Sequence, residues 1–332
     1  MTEENQERFL LMEISSATIV TCTFSVIYFL VAFFILLGNI STIFVFWKHR
    51  GELKRTSYLL LNLAFADLLV GISVLHVAAN GIQHLASHQQ SRFWKFIITN
   101  GFDSFSAFVA LISLLAMTLE RLYAIRWPFR HRTMSIRSYI YSVAFVWILA
   151  GIMCIFDFLS VFFRDEAIRL SKASSIIVAL VTFFSLAITC ASYVLIRQQT
   201  RQNIPGIRAQ QNKKLTNTLL IVTVVSVFCW LPLIIYCIAV FGWSLIEDVA
   251  SNPSYYTLLI VKTLQYSNSM VNPLLYAFRL PMFKLELQKC CSKFFPSKEF
   301  DGNKNPYQDR VRVSAQRTNV DITNLHNYNT KL

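Results

Sequence analysis

Residues 58–85 read YLLLNLAFADLLVGISVLHVAANGIQHL, an apolar run interrupted by a single formal charge, Asp67. At 1.5 Å of rise per residue, a helix of this length crosses the roughly 30 Å of hydrocarbon in a bilayer. An acid at mid-bilayer costs at least about 3 kcal/mol unless it faces partners. The segment therefore reads as a membrane helix whose Asp67 side meets other helices.

The rest of the chain supplies those helices. Further apolar runs extend from Thr21 to Trp47, Trp94 to Ile125, Ser138 to Phe162, Ser171 to Leu195, Leu215 to Phe241 and Tyr255 to Phe278. Over all 332 residues, 55% are hydrophobic and only 15% charged. Mean hydropathy is +0.47, whereas a soluble domain carries about a quarter of its residues charged. The expected fold is all-α: a seven-transmembrane helix bundle over residues 21–280. It is preceded by an extracellular N-terminus (1–20). It is followed by a short amphipathic surface helix (281–294) and a polar, disordered cytoplasmic tail (295–332).

The net charge of +13 does not imply nucleic acid, because the basic residues lie in short connections between apolar runs. Lys48, Arg50, Lys54, Arg55, Arg126, Arg130, Arg132, Arg137, Arg197, Arg201, Lys213 and Lys214 all fall on one side. By the positive-inside rule that side is cytoplasmic, so the N-terminus is expected outside and the C-terminus inside. The acidic first residues lack the basic n-region of a cleavable signal. Five of the seven cysteines lie in apolar runs, which predicts no disulfide framework. Cys290 and Cys291 adjoin the basic amphipathic segment, a setting for palmitoylation and contact with membrane lipid.

Polar side chains inside the spans are the functional signal. The first span has Gly38-Asn39, the second Leu61-Asn62-Leu63-Ala64-Phe65-Ala66-Asp67. The third ends in Glu120-Arg121-Leu122, and Trp147 stands in the fourth. The sixth carries Cys229-Trp230-Leu231-Pro232. The seventh carries Asn268-Ser269 and Asn272-Pro273-Leu274-Leu275-Tyr276. Taken in order across residues 20–294, these motifs resemble those of the rhodopsin-like (class A) G-protein-coupled receptors. The resemblance implies a receptor, not an enzyme, that passes an extracellular small-molecule, lipid or peptide signal to a heterotrimeric G protein by an outward swing of the sixth helix.

The resemblance also implies roles. Asp67 with Asn39, Asn268, Ser269 and Asn272 would form a polar core able to hold a sodium ion, although Ala110 stands where many relatives have a serine. Arg121 would meet the G protein, with Glu120 restraining it at rest. Tyr193 and Tyr276 would stabilise the active state. Pro232 and Pro273 interrupt their helices, and Pro232 should kink the sixth into a pivot. Asn212, Lys213 and Lys214 stand where relatives often have a second restraining acid, so ligand-free signalling is expected. Arrestin and a receptor kinase are expected partners of the tail, and Thr330-Lys331-Leu332 fits a PDZ-type terminus.

Asp103 precedes Arg121 by eighteen residues (121 − 103), about five helical turns and about 27 Å of rise. Both therefore face the bundle interior, Asp103 near the outer mouth. A ligand pocket is expected from Asp103, Ala107, Trp230, Leu233, Ile234, Lys262 and Tyr266. Aminergic receptors carry an acid at the Asp103 position for the ligand's ammonium, which makes an amine the alternative ligand. Lys262, one turn outward from Tyr266, stands ready to neutralise Asp103 instead. Phe96 replaces the usual disulfide cysteine and Ser185 the usual proline of the fifth helix. Those departures are similar to the melanocortin, lysophospholipid, cannabinoid and adenosine branch. A transporter or channel is the rival class, but no internal repeat is visible.

Overall fold

The computed structural model describes residues 3–52, 57–86, 92–162, 167–202, 207–242 and 253–279, together with 283, 285, 286 and 289. Among the described residues α-helices follow one another in the order α1 (Glu3–Lys48), α2 (Ser57–Ala86), α3 (Arg92–Arg126), α4 (Pro128–Thr133), α5 (Ile136–Phe162), α6 (Ala167–Gln202), α7 (Ile207–Gly242) and α8 (Pro253–Arg279). Seven of them match the seven apolar runs. No strand occurs among the described residues.

Helix α6 runs on to Gln202 and α7 begins at Ile207, beyond the apolar runs, and two further features depart from the sequence reading. Helix α1 begins at Glu3, not near Thr21, because residues 3–20 contain neither Gly nor Pro to stop it. Its described stretch Thr18–Lys48 is long and apolar enough to cross a membrane. The two-turn α4 was not anticipated. Pro128 occupies its first turn, where a missing N–H costs nothing, and Trp127 stands at the N-cap. Of the expected surface helix, Phe283, Leu285, Glu286 and Lys289 are helical, and Lys289 Nζ donates to Glu286 Oε1 at 3.0 Å. Cys290, Cys291 and the 295–332 tail lie outside the described residues.

Among the described residues six helices are long and apolar enough to cross a membrane. Helix α8, with Lys262, Gln265, Asn268, Ser269 and Asn272, is long enough but more polar. Helix α3 is the most enclosed, with 67% of its apolar window buried, and α5 the least, with 17%. Helix α3 packs against α2, α5 and α6; α8 packs against α1, α2 and α7.

The packing inverts that of a soluble protein. Large apolar residues such as Phe33, Phe145 and Phe228 face outward, where only lipid tails can meet them. Asn39, Asp67 and Ser226 are fully enclosed. Small residues bring the helices together, with Ala32, Ala66, Ala78, Ala110 and Ala150 in the main core. At Gly38 a Cβ would lie 2.9 Å from the Pro273 ring, so only glycine permits this approach of α1 to α8. A second core joins Ala107 and Leu111 of α3 to Leu233 and Ile234 of α7 and Val261 of α8, beside Trp230.

Candidate functional site

Three polar clusters lie along the bundle interior, on α3 and the helices around it. At one end Asp103 is shared between two helices. Lys262 Nζ of α8 donates to its Oδ2 at 2.7 Å, and Ser73 Oγ of α2 donates to its Oδ1 at 3.0 Å. The acid's side chain is 7% exposed and the lysine's 24%, so the ammonium is the more accessible partner. The Lys262 ammonium also stands 5.7 Å from the centre of the Tyr266 ring, within cation–π range. Tyr266 is itself buried edge-on against Tyr28, whose hydroxyl donates to the Leu259 carbonyl at 3.0 Å.

The expected pairing of Asp103 with Lys262 is therefore present. It removes support from the amine alternative, because a ligand ammonium would have to evict Lys262 and leave that charge unpaired inside the bundle. Ala107, Trp230, Leu233 and Ile234 are all buried in one cluster. The Trp230 indole N–H, the Gln265 Oε1 and the Thr182 hydroxyl are buried without a hydrogen-bond partner. Three unpaired polar atoms close to an apolar core are unusual.

The second cluster surrounds Asp67. Asn272 Nδ2 donates to Asp67 Oδ2 at 2.9 Å. Asn39 Nδ2 donates to the Ser269 carbonyl at 3.2 Å and to the Ile35 carbonyl at 2.9 Å. Ser226 Oγ donates to Asn268 Oδ1 at 3.0 Å. The residues expected here thus converge from α1, α2 and α8, with Ser226 of α7 joining them. Asp67 Oδ1 and Asn39 Oδ1 remain without hydrogen-bond donors. Orphaned oxygens of this kind suit a small cation, which prefers oxygen ligands. Ala110 is buried and brings no oxygen. On the α3 side of α2, Asn62 Nδ2 donates to Ser113 Oγ at 2.8 Å, and Trp147 Nε1 donates to Asn62 Oδ1 at 2.9 Å. These two bonds link α5 to α2 and α2 to α3 through the one Asn62 side chain.

The third cluster holds Arg121. Its Nε lies 3.3 Å from Glu120 Oε2, the expected restraint. Glu120 is also gripped from elsewhere. His131 Nε2 of α4 stands 2.7 Å from Glu120 Oε1, and the Tyr139 hydroxyl of α5 donates to the same oxygen at 3.3 Å. A carboxylate only accepts, so the short contact places the proton on His131 Nε2. The sequence reading missed His131 and Tyr139. Nothing in their spacing marks them, because the contact closes across a connection whose helix was itself unforeseen. Tyr193 and Tyr276 are buried, and the Tyr276 hydroxyl has no hydrogen-bond partner. The side chains of Asn212, Lys213 and Lys214 lie outside the described residues. Among the described residues Cys22, Cys154, Cys190, Cys229 and Cys237 are in no disulfide, and Cys154 Sγ donates to the Gly101 carbonyl at 3.3 Å.

Residues 38–276 match a family model described as 7 transmembrane receptor (rhodopsin family). The chain is 27% identical over 288 residues to somatostatin receptor type 5 of Bos taurus, covering 80% of this chain and 74% of that receptor. It is 26% identical over 310 residues to adenosine receptor A3 of Ovis aries, covering 84% and 93% respectively. It is 27% identical over 297 residues to the substance-K receptor of Homo sapiens, covering 79% and 71%.

Proposed function

Because the chain belongs to the rhodopsin family of seven-transmembrane receptors, we propose that its extracellular ligand binds at the Asp103–Lys262 pair and that the signal leaves at Arg121. The protein is a G-protein-coupled receptor of the class A type in a multi-pass membrane setting; it is not an enzyme. The rival reading as a transporter or channel finds no support in these relatives.

The Asp103 end faces outward with the N-terminus, and the Arg121 end faces the cytoplasm. The observation that carries the ligand site is the ion pair between α3 and α8, set beside the apolar walls and the unpartnered Trp230 N–H. A ligand reaching Lys262 changes the link between α3 and α8 and presses on Trp230, two residues before Pro232. Proline leaves α7 short of one internal hydrogen bond at that level, which supplies a bend for an outward swing. The swing uncovers Arg121 to the G protein. At rest Glu120 holds Arg121, and His131 and Tyr139 hold Glu120.

Asp67, Asn39, Ser269 and Asn272 would hold a sodium ion, which would supply a counter-charge to the buried carboxylate and favour the resting arrangement. Palmitoylation at Cys290 and Cys291, contact with membrane lipid, and recruitment of a receptor kinase and arrestin to the tail complete the proposal. Phe96 and Ser185 support kinship with the melanocortin, lysophospholipid, cannabinoid and adenosine branch.

The test is nucleotide exchange on purified G protein by the intact receptor in nanodiscs, screened against ligands beside Asp103→Asn and Lys262→Ala. A ligand response indifferent to both substitutions puts the ligand elsewhere.

A further inference from the structure

Resting on the ligand site just described, we infer the class of ligand: a monoanionic carboxylate carried on an apolar body. The inference comes from what the site has left to offer once its internal bonds are made.

Asp103 is largely spent. One oxygen accepts from Ser73 and the other from Lys262, and the side chain is 7% exposed. Lys262 gives one of its three N–H donors to Asp103. Its side chain keeps 24% exposure, so an incoming molecule meets the ammonium before the acid. Deeper in, the Trp230 N–H is a second unpaired donor. The charged part of the spare hydrogen-bonding capacity is thus cationic, beside the unpaired Trp230 N–H donor and Gln265 Oε1 acceptor.

A cationic ligand must break the Lys262–Asp103 bond and strand the lysine. A carboxylate can share the ammonium with Asp103 and leave the 2.7 Å bond in place. Phosphate fits less well. Among the described side chains Lys262 is the Lys or Arg bonded to Asp103, and one point charge matches one negative charge. The body of the ligand is set by the adjoining apolar cluster of Ala107, Leu111, Leu233, Ile234 and Val261 around Trp230.

Decanoate, 4-phenylbutanoate and their neutral amides and primary amines are the probes. The readout is nucleotide exchange and thermal midpoint of the full-length receptor in nanodiscs. The carboxylates are expected to act, and the amides and amines to fail. Lys262→Gln should weaken the carboxylate response by on the order of tenfold or more, as loss of a charged hydrogen bond requires, and Lys262→Arg should restore most of it. Asp103→Asn, which frees the ammonium, should strengthen it. Should no carboxylate change either readout, or should an amine act and lose its effect in Asp103→Asn, the carboxylate inference falls while the pocket stands. If instead a carboxylate acts equally on wild type, Lys262→Gln and Asp103→Asn, the pocket itself is wrong.

Discussion

Replacing His131 by phenylalanine should raise ligand-free signalling. The bond lost is the 2.7 Å contact from α4 to Glu120 Oε1, while the longer Tyr139 contact at 3.3 Å and the Arg121 contact remain. A hydrogen bond to a charged partner contributes about 1.5–3 kcal/mol. The His131 side chain is 19% exposed, which screens the interaction and favours the lower end, about 1.5 kcal/mol. If that bond exists only at rest, its loss moves the resting-to-active ratio by about tenfold. The assay is the basal rate of nucleotide exchange by the unliganded receptor in nanodiscs, at matched receptor amount and matched thermal midpoint. Tyr139→Phe should give a smaller rise, because its bond is longer, and Glu120→Gln the largest, because it weakens every contact at once. A basal rate in His131→Phe equal to or below wild type would refute the claim that α4 restrains Glu120.

Gly38→Ala should lower the thermal midpoint, since the added methyl meets the Pro273 ring at 2.9 Å and overpacking of this kind costs about 1–3 kcal/mol. Asn62→Ala removes the bonds to both Ser113 and Trp147 and strands a buried hydroxyl and an indole N–H; a loss of about 1–3 kcal/mol is expected in thermal unfolding. Sodium chloride should raise the thermal midpoint above that in choline chloride for wild type, and Asp67→Asn should abolish the difference.

The seven spans, their order and the interior-facing polar residues could be read directly from the chain, because membrane helices announce themselves by length and by the cost of buried charge. The Asp103–Lys262 bond was legible for a similar reason: two opposite charges inside lipid, each on an inward face, have few alternatives to each other. The Asp67 cluster was legible through motif order. What escaped was rotational register between helices. Nothing distinguishes Ser73 from the other serines of α2 as the donor to Asp103, nor Ser226 as the donor to Asn268. The hold of His131 and Tyr139 on Glu120 escaped as well. It depends on where a short connection folds back, and periodicity within one span carries no record of that.

Helix α8 is the long helix that the described residues leave short of membrane-crossing hydropathy. During synthesis it emerges last, and alone it would gain little from entering the bilayer. Its Asn272, Asn268 and Lys262 become tolerable there only once Asp67, Ser226 and Asp103 are already in place to receive them. Insertion of the final helix is thus a reading of whether the earlier ones assembled correctly. A substitution at Asp67 or Asp103 should show up as receptor retained before reaching the cell surface, quite apart from any loss of signalling.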